Sequence, residues 1–255
     1  MKKKERISVL IAAYNAAPFI GDVIRSVLLQ DIPPEYELEI IIGVDGCDTT
    51  WKEALRFEQL GVWIVRMQAN YGPYITFNTI MKYATGKWIV RFDSDDVMLP
   101  GYLNYQLRLF KKHPFVKLAR TWSIYTDQHF RPIRAKLAGN RFTAADGRRN
   151  SGSDGQFMMA REVWDKLGAF KPWKCFADTD FLTRCKIAGY GIAEIRRHLY
   201  IRRVHPGSLT SKKETDYNSS IRRHYRVEME TELNNYLNGK SIFVRPLRGQ
   251  IAAIV

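Results

Sequence analysis

Two near-continuous apolar runs, "ISVLIAAY" at 7–14 and "LEIIIGV" at 38–44, constrain this chain more than anything else in it. Ile- and Val-rich runs without polar alternation mark strands covered on both faces, which belong to parallel sheets flanked by helices. Between them, "PFIGDVIRSVLLQ" sets Phe19, Val23 and Val27, and beside them Ile20, Ile24 and Leu28, at fourfold spacing, with Pro18 suited to a first helical turn. That is one βαβ unit. A second follows, with Thr49 or Thr50 capping a helix that runs to about Leu60 and "VWIVRM" at 62–67 as the next strand. A third helix near 73–84 stops before Gly86, and "KWIVRF" supplies a further buried strand. The first hundred residues therefore predict an α/β fold with a mostly parallel sheet flanked by helices.

Beyond Pro100 the pattern loosens. "YLNYQLRLFKKH" reads as a helix, 116–122 as a strand, and 127–155 as turn-rich and basic. "REVWDKLGAF" and "DTDFLTRCKIAGYG" read as helices, the second passing from acids to Arg184 and Lys186 as the helix dipole favours. "YGIAEIRRHLYIRRVHPGSLTSKKE" is a strand that breaks into a polar loop, and the last forty residues are one helix plus a tail. The expected division is 1–99 as a nucleotide-binding half, 100–212 as an acceptor-side half, and 213–255 as a C-terminal helical extension.

The chain has 255 residues, enough for one sizeable core. It carries 40 basic and 26 acidic residues, a formal +14, which asks for an anionic partner or surface without naming one. Cys47, Cys175 and Cys185 lack the spacing of a zinc site and cannot all pair with one another, which favours a reducing compartment. Glu5, Arg6 and Asn15 interrupt the basic-then-apolar start before a signal-peptide core forms, and no stretch nears 18 apolar residues. The expected location is cytoplasmic, with peripheral contact at an anionic membrane face as a further expectation. For that contact "SIRRHYRVEMETELNNYL" offers a surface helix, which could equally cover the core or join a second subunit as a homodimer.

"KWIVRFDSDD" ends in three carboxylates within four positions, where a predicted strand stops. In open parallel sheets ligands bind beyond the carboxyl ends of the strands, and residues 93 and 95 of an extended strand end point to one side. Two such carboxylates suit a hard divalent cation. The competing reading is a helix N-cap with acidic first-turn residues, which the local sequence supports equally.

The chain resembles the family 2 inverting glycosyltransferases of the GT-A fold over roughly residues 7–210. The resemblance rests on "ISVLIAAYN", the "VDGCDTT" turn, "NYGPYITFN", the Asp-x-Asp motif "DSDD", "ADTDFLTR" and "HPGSLT", in that order. Departures are Val44 and Cys47 within the turn, Phe77 before Asn78, and Ala177 before Asp178. The resemblance implies attack by a hydroxyl of a glycan or lipid-linked saccharide on a UDP-sugar, as in polysaccharide and cell-envelope synthesis. A divalent Mn²⁺ or Mg²⁺ would be the cofactor. It assigns Asp95, with Asp93 and His205, to the metal, and Asp93 and Ser94 also to the donor. Ala13, Tyr14, Asn15 and Asp45 would hold the base, and Asn70, Gly72 and Asn78 would shape the floor beneath the nucleotide. Arg202 and Ser208 would address the diphosphate, and Asp178, or Asp180 two residues on, would act as general base. Trp173 is the expected acceptor platform, and Gly152 or Gly155 would let the backbone approach the donor sugar.

Two other functions compete. A nucleotidyltransferase would carry a glycine-rich phosphate loop near its first strand, and "AAYNAAP" has no glycine. A polyanion- or nucleic-acid-binding module fits +14 and "IRRHLYIRR", but the carboxylate cluster would repel a nucleic-acid backbone, so no nucleic-acid partner is expected.

Overall fold

In the computed structural model, which describes residues 3–136 and 155–255, the apolar runs form the heart of a single sheet. Strands β1 (Glu5–Ala13), β2 (Tyr36–Val44), β3 (Val62–Met67) and β4 (Trp88–Asp93) lie in the spatial order β3-β2-β1-β4, all parallel. Ala13 pairs with Val44, and Ala12 with Asp93. The carboxyl ends of β1, β2 and β4 are therefore level, and whatever follows each strand opens onto the same edge.

Helices α1 (Ile20–Leu28), α2 (Asp48–Leu55) and α3 (Pro73–Ile80) make the crossovers. Ile20, Val23, Ile24 and Val27 of α1 are fully buried, as their fourfold spacing requires, and each such side chain contributes about 1.5–3 kcal/mol of burial. A side chain at Gly43 would strike Thr76 and Ile80, so α3 lies flush on β2. The expected Thr49 or Thr50 cap does not form. Cys47 is the N-cap residue without a side-chain cap bond, and the buried Thr50 hydroxyl instead accepts the amide of Ala16 at 2.9 Å, tying α2 to the turn after β1. α2 also stops at Leu55, short of the expected Leu60.

The second half makes the sheet mixed. After β5 (Val97–Met98) come α4 (Tyr102–Lys112), the long β6 (Val116–Asp127), β7 (Pro132–Lys136), β8 (Phe157–Ala160), α5 (Arg161–Leu167), α6 (Ala177–Ile187) and β9 (Gly191–Val204). β8 joins β4 antiparallel, β6 joins β8 antiparallel, and β9 runs parallel to β6 before pairing β5. Parallel pairing is thus confined to the first four strands and to β6 with β9, and α/β architecture holds throughout.

The C-terminal residues depart from the expected appended extension. α7 (Ser220–Leu237) forms on the predicted segment and is capped by the Ser219 hydroxyl, which accepts the amide of Arg222. The chain then returns across the molecule. Ala169 donates to the Val244 carbonyl at 2.9 Å, Gly249 donates to Thr79 at 3.0 Å, and β10 (Ile251–Ile254) adds an antiparallel edge strand to β3. A short apolar run paired at a sheet edge gains ladder hydrogen bonds that a free tail lacks, and Ile242 and Ile251 of this strap pack, partly buried, against the core. No helix among the described residues is long and apolar enough to cross a membrane.

Candidate active site

A cleft of about 1250 Å³ opens at the carboxyl ends of β1, β2 and β4. That exceeds the roughly 300–1,000 Å³ of a single small-ligand pocket, leaving room for two substrates. Its first wall is the end of β1. Ala13, Tyr14 and Asn15 line it, with Tyr14 43% exposed and so unavailable for core packing. Asn15 takes a left-handed backbone, φ 52°, which asparagine tolerates better than most residues, and accepts a hydrogen bond from the Cys47 thiol.

Asp45, at the end of β2, is buried. Its two oxygens accept the amides of Tyr71 and Gly72, each at 2.8 Å, fixing the loop that leads into α3. Burial raises its carboxyl above the usual range against those same hydrogen bonds. Asn70 also accepts the Gly72 amide, at 3.0 Å, so it braces the turn ahead of the helix. Asp45, Asn70 and Gly72 all line the cleft. Asn78 does not: it is fully buried, exchanging hydrogen bonds of 2.9 and 3.1 Å with the backbone of Phe170, and it fastens α3 to the second half of the fold.

The carboxylates after β4 do not cap a helix. Residues 94–96 turn into β5, and α4 begins only at Tyr102 behind Gly101. Each acid has a distinct partner. Asp93 pairs with Arg91 at 3.0 Å and accepts Gln156 at 2.9 Å. Asp95 meets His205 Nε2 at 3.0 Å. Asp96, buried, accepts the amide of Arg203 at 3.0 Å and the side chain of Gln156. Burial, followed by the neighbouring Asp95 and Asp93, pushes the Asp96 carboxyl well above its ordinary value, and burial also raises Asp93 despite the guanidinium of Arg91. Ser94 lies on the cleft wall between them.

His205 is held from three sides: the Phe19 ring at 4.5 Å, Asp95, and the turn in which Ser208 donates its amide to the His205 carbonyl at 3.0 Å. Ser208 and Arg202 face the cleft, and Arg202 donates to the Tyr125 hydroxyl at 2.8 Å. No group of three or more His, Cys, Asp or Glu side chains among the described residues gathers as a ready-made metal cage. Asp95 and His205 nonetheless present one carboxylate oxygen and one imidazole nitrogen side by side at the cleft, the kind of partial shell a cation completes with substrate phosphates and water. Asp93 is engaged by Arg91 and Gln156, with the Asp95 charge near enough to oppose its ionisation.

Across the cleft, Asp178 sits in the first turn of α6 and accepts the Tyr74 hydroxyl at 3.1 Å. Burial and then the Asp178 charge hold the Tyr74 phenol well above its ordinary value, so it stays a donor. Beneath both lies Arg91, buried within β4, its guanidinium 5.6 Å from the Tyr74 ring and bonded to the Gly155 carbonyl. A side chain at Gly155 would strike Arg91 and come within 2.9 Å of Asp178, so the close backbone approach expected of Gly155 is real, though its neighbours here are protein groups. Gly152 falls outside the described residues.

Two expected site residues lie elsewhere. Asp180 is buried behind the cleft, paired with Arg184 at 2.8 Å and Lys171 at 3.1 Å. Arg184 in turn donates to the carbonyls of Leu167 and Ala169, so Asp180 belongs to the framework. Trp173 is only 7% exposed, stacked on Tyr225 of α7 at 4.7 Å with Lys171 against its ring, and has no open face for a sugar. Phe176 is the aromatic from that segment that lines the cleft. Arg91, Tyr74 and Gln156 join the site without having been expected there. Arg91 left a signal, because a charge inside the buried run "WIVRF" must have a partner.

The Glycosyl transferase family 2 model matches residues 8–168. Over 107 residues the chain is 30% identical to the UDP-Glc:alpha-D-GlcNAc-diphosphoundecaprenol beta-1,3-glucosyltransferase WfgD of Escherichia coli, covering 42% of each chain. Among solved structures, the mannosyltransferase PcManGT of Pyrobaculum calidifontis, in complex with GDP-Man and Mn²⁺, superposes with a TM-score of 0.67 at 17% identity, over 94% of this chain and 66% of that one. Residues 1–349 of Staphylococcus aureus TarS, in complex with UDP-GlcNAc, superpose with a TM-score of 0.64 at 16% identity, over 92% and 73%. These structures share the fold, and the family match spans more than half of the sequence: the chain belongs to glycosyl transferase family 2.

Proposed function

We propose that this protein transfers a sugar from a UDP-sugar to a hydroxyl of a glycan or lipid-linked acceptor, inverting the anomeric carbon, with a divalent cation as cofactor. The observation that carries the reading is the placement of Asp45, the Asp93–Asp96 turn and Asp178 around one cleft large enough for donor and acceptor together. The name of the E. coli relative, a UDP-glucose enzyme, supports UDP as the donor nucleotide.

In this reading Tyr14 and Asp45 meet the base and its edge, and Arg202 and Ser208 meet the phosphates; all four line the cleft, which supports the assignment. Asp95 and His205 would hold Mn²⁺ or Mg²⁺, which when bound offsets charge on the leaving diphosphate. On the opposite side, the acceptor hydroxyl attacks the anomeric carbon as the bond to the diphosphate breaks, and the hydroxyl proton passes to Asp178. The Tyr74 hydroxyl, which donates to Asp178, orients that carboxylate at the cleft.

Calorimetry with nucleoside diphosphates and Mn²⁺, paired with assays of Asp178→Asn, tests this. UDP should bind more tightly than GDP, and the variant should keep UDP affinity while sugar transfer falls roughly 10²-fold or more. Tighter GDP binding overturns the donor, and normal transfer by the variant overturns the base.

A further inference from the structure

Past Asp178 the cleft continues beyond the region assigned to the donor, and its character changes. Asp178, Thr179, Leu182, Thr183 and Lys186 all line it, the spacing of one face of α6, so this arm follows the helix for about 12 Å. At its head stands Phe176, two residues before Asp178. Phe176 is half-buried with φ 74°, a left-handed conformation that costs a residue with a Cβ of order 1 kcal/mol and is retained where surrounding structure imposes it. One cation faces the ring, Arg226 of α7, 6.0 Å from its centroid; Lys174, two residues before Phe176, lines the same cleft, its amide meeting the Tyr225 hydroxyl at 3.4 Å. Lys174, Lys186 and Arg226 are exposed, line the cleft and pair with no carboxylate among the described residues. Glu214, also on the cleft wall and exposed, is the one other acid beside Asp178 on this side among the described residues. The neighbouring Arg222 is occupied by the carbonyls of Thr215 and Asp216.

Three cations without a carboxylate partner among the described residues outnumber the two acids, Asp178 and Glu214, on this side and raise the local positive potential, which favours an anionic ligand and disfavours a cationic one. A phenyl face offers stacking to the apolar face of a sugar ring, and lysine and arginine heads offer charge-assisted hydrogen bonds to phosphate oxygens. We propose that Phe176, Lys174 and Arg226 form an acceptor subsite for a phosphate-bearing saccharide: the sugar lies on Phe176 with its hydroxyl toward Asp178, and the phosphate lies between Lys174 and Arg226. The proposal rests on Asp178 marking the acceptor side. The phosphate belongs either to a lipid diphosphate or to a phosphodiester-linked polymer, and both present the same oxygens to the site.

The test uses the intact protein loaded with UDP and Mn²⁺, titrated with farnesyl diphosphate, with a glycerol-phosphate oligomer and with neutral maltoheptaose, in parallel with the Lys174→Gln, Arg226→Gln double variant. Wild type should bind at least one of the two anions, and which one identifies the source. The double variant should bind that anion about tenfold more weakly while UDP affinity stays unchanged. Both side chains are exposed, so the variant should fold as wild type does. Failure of both anions to bind, or equal binding by the double variant, overturns the subsite. Failure of UDP itself would strike the donor assignment instead, and the same anion titrations on nucleotide-free wild type and variant then decide the subsite alone.

Discussion

Tyr74 and Asp178 are 104 positions apart and meet through one hydrogen bond of 3.1 Å. Tyr74→Phe deletes only that donor from a packed ring, so the fold should hold and UDP affinity should not move. Transfer should fall about tenfold or somewhat more, the roughly 1.5 kcal/mol at the lower end for one hydrogen bond to a charged partner, and the kcat and KM values for acceptor, measured separately, check this. Asp96 gives a second residue-scale prediction, through pH. Its folded carboxyl titrates well above the ordinary value because burial and two like charges oppose ionisation. As pH rises past about 4, the unfolded chain releases this proton while the folded chain retains it, so the unfolded state binds fewer protons and stability falls. Metal-free wild type should therefore lose melting temperature as pH climbs from that point through the raised folded value. Asp96→Asn should flatten that part of the profile, since an amide bears no charge and Gln156 Oε1, without a partner among the described residues, is available to accept from it. A scan of thermal unfolding against pH for both proteins decides the matter. The strand-end acids were legible because their message is local: a buried run, then three carboxylates. The roles of Tyr74 and Arg91 were not, because each depends on a partner brought near only by the folded sheet.

Among the elements, the crossing of the C-terminal strap over the end of α5 is the most tightly built. Gly168 follows α5 with φ 72°, and a Cβ there would collide with the carbonyl oxygen of Val244, a backbone atom with no side-chain freedom to yield. Leu167 and Ala169 on either side bond to Val244 at 2.9 Å each, and Arg184 reaches the Leu167 and Ala169 carbonyls from α6. Gly168→Ala should therefore cost about 2 kcal/mol or more, combining an unfavourable backbone with a steric clash, and denaturant unfolding should show it as a lowered midpoint. An Ala at Gly61, also left-handed but with open space around its Cβ position, is the control that isolates the backbone part, and it should cost distinctly less. The same region shows where sequence patterns lose their grip. The βαβ units could be read because each pairs a helix with strands adjacent in sequence. The insertion of β8 between β4 and β6, and of β10 beside β3, pairs segments separated by long intervals, and neither "FMMA" nor "IAAI" carries a sign of its neighbour.

For the whole molecule, the formal +14 and the lipid-linked acceptor proposed above together make contact with an anionic membrane a testable matter. α7 could have been an inserting helix, but Tyr225 stacks on Trp173 and Tyr236 is buried, so its apolar side covers the core. Its exposed positions include Arg223, His224, Arg226, Val227, Glu230 and Leu237, a largely polar surface with two large aliphatic side chains. Such a surface gains little from entering an acyl layer, whereas net positive charge is attracted to anionic headgroups at a distance set by ionic strength, with a screening length near 10 Å at 0.1 M salt and about 3 Å at 1 M. The two modes separate experimentally. Electrostatic contact predicts flotation with vesicles containing phosphatidylglycerol at low salt, progressive release as salt rises toward 1 M, and no flotation with purely zwitterionic vesicles. Insertion through α7 predicts binding that survives high salt and falls with Val227→Asp. Charge reversal of the outward basic residues, Arg223→Glu in particular, should weaken the low-salt flotation without changing the melting temperature by more than a few degrees, since an exposed substitution of this kind usually stays within about 0.5 kcal/mol. No flotation of wild type with anionic vesicles at any salt concentration would remove membrane contact from the account of how this protein reaches its acceptor.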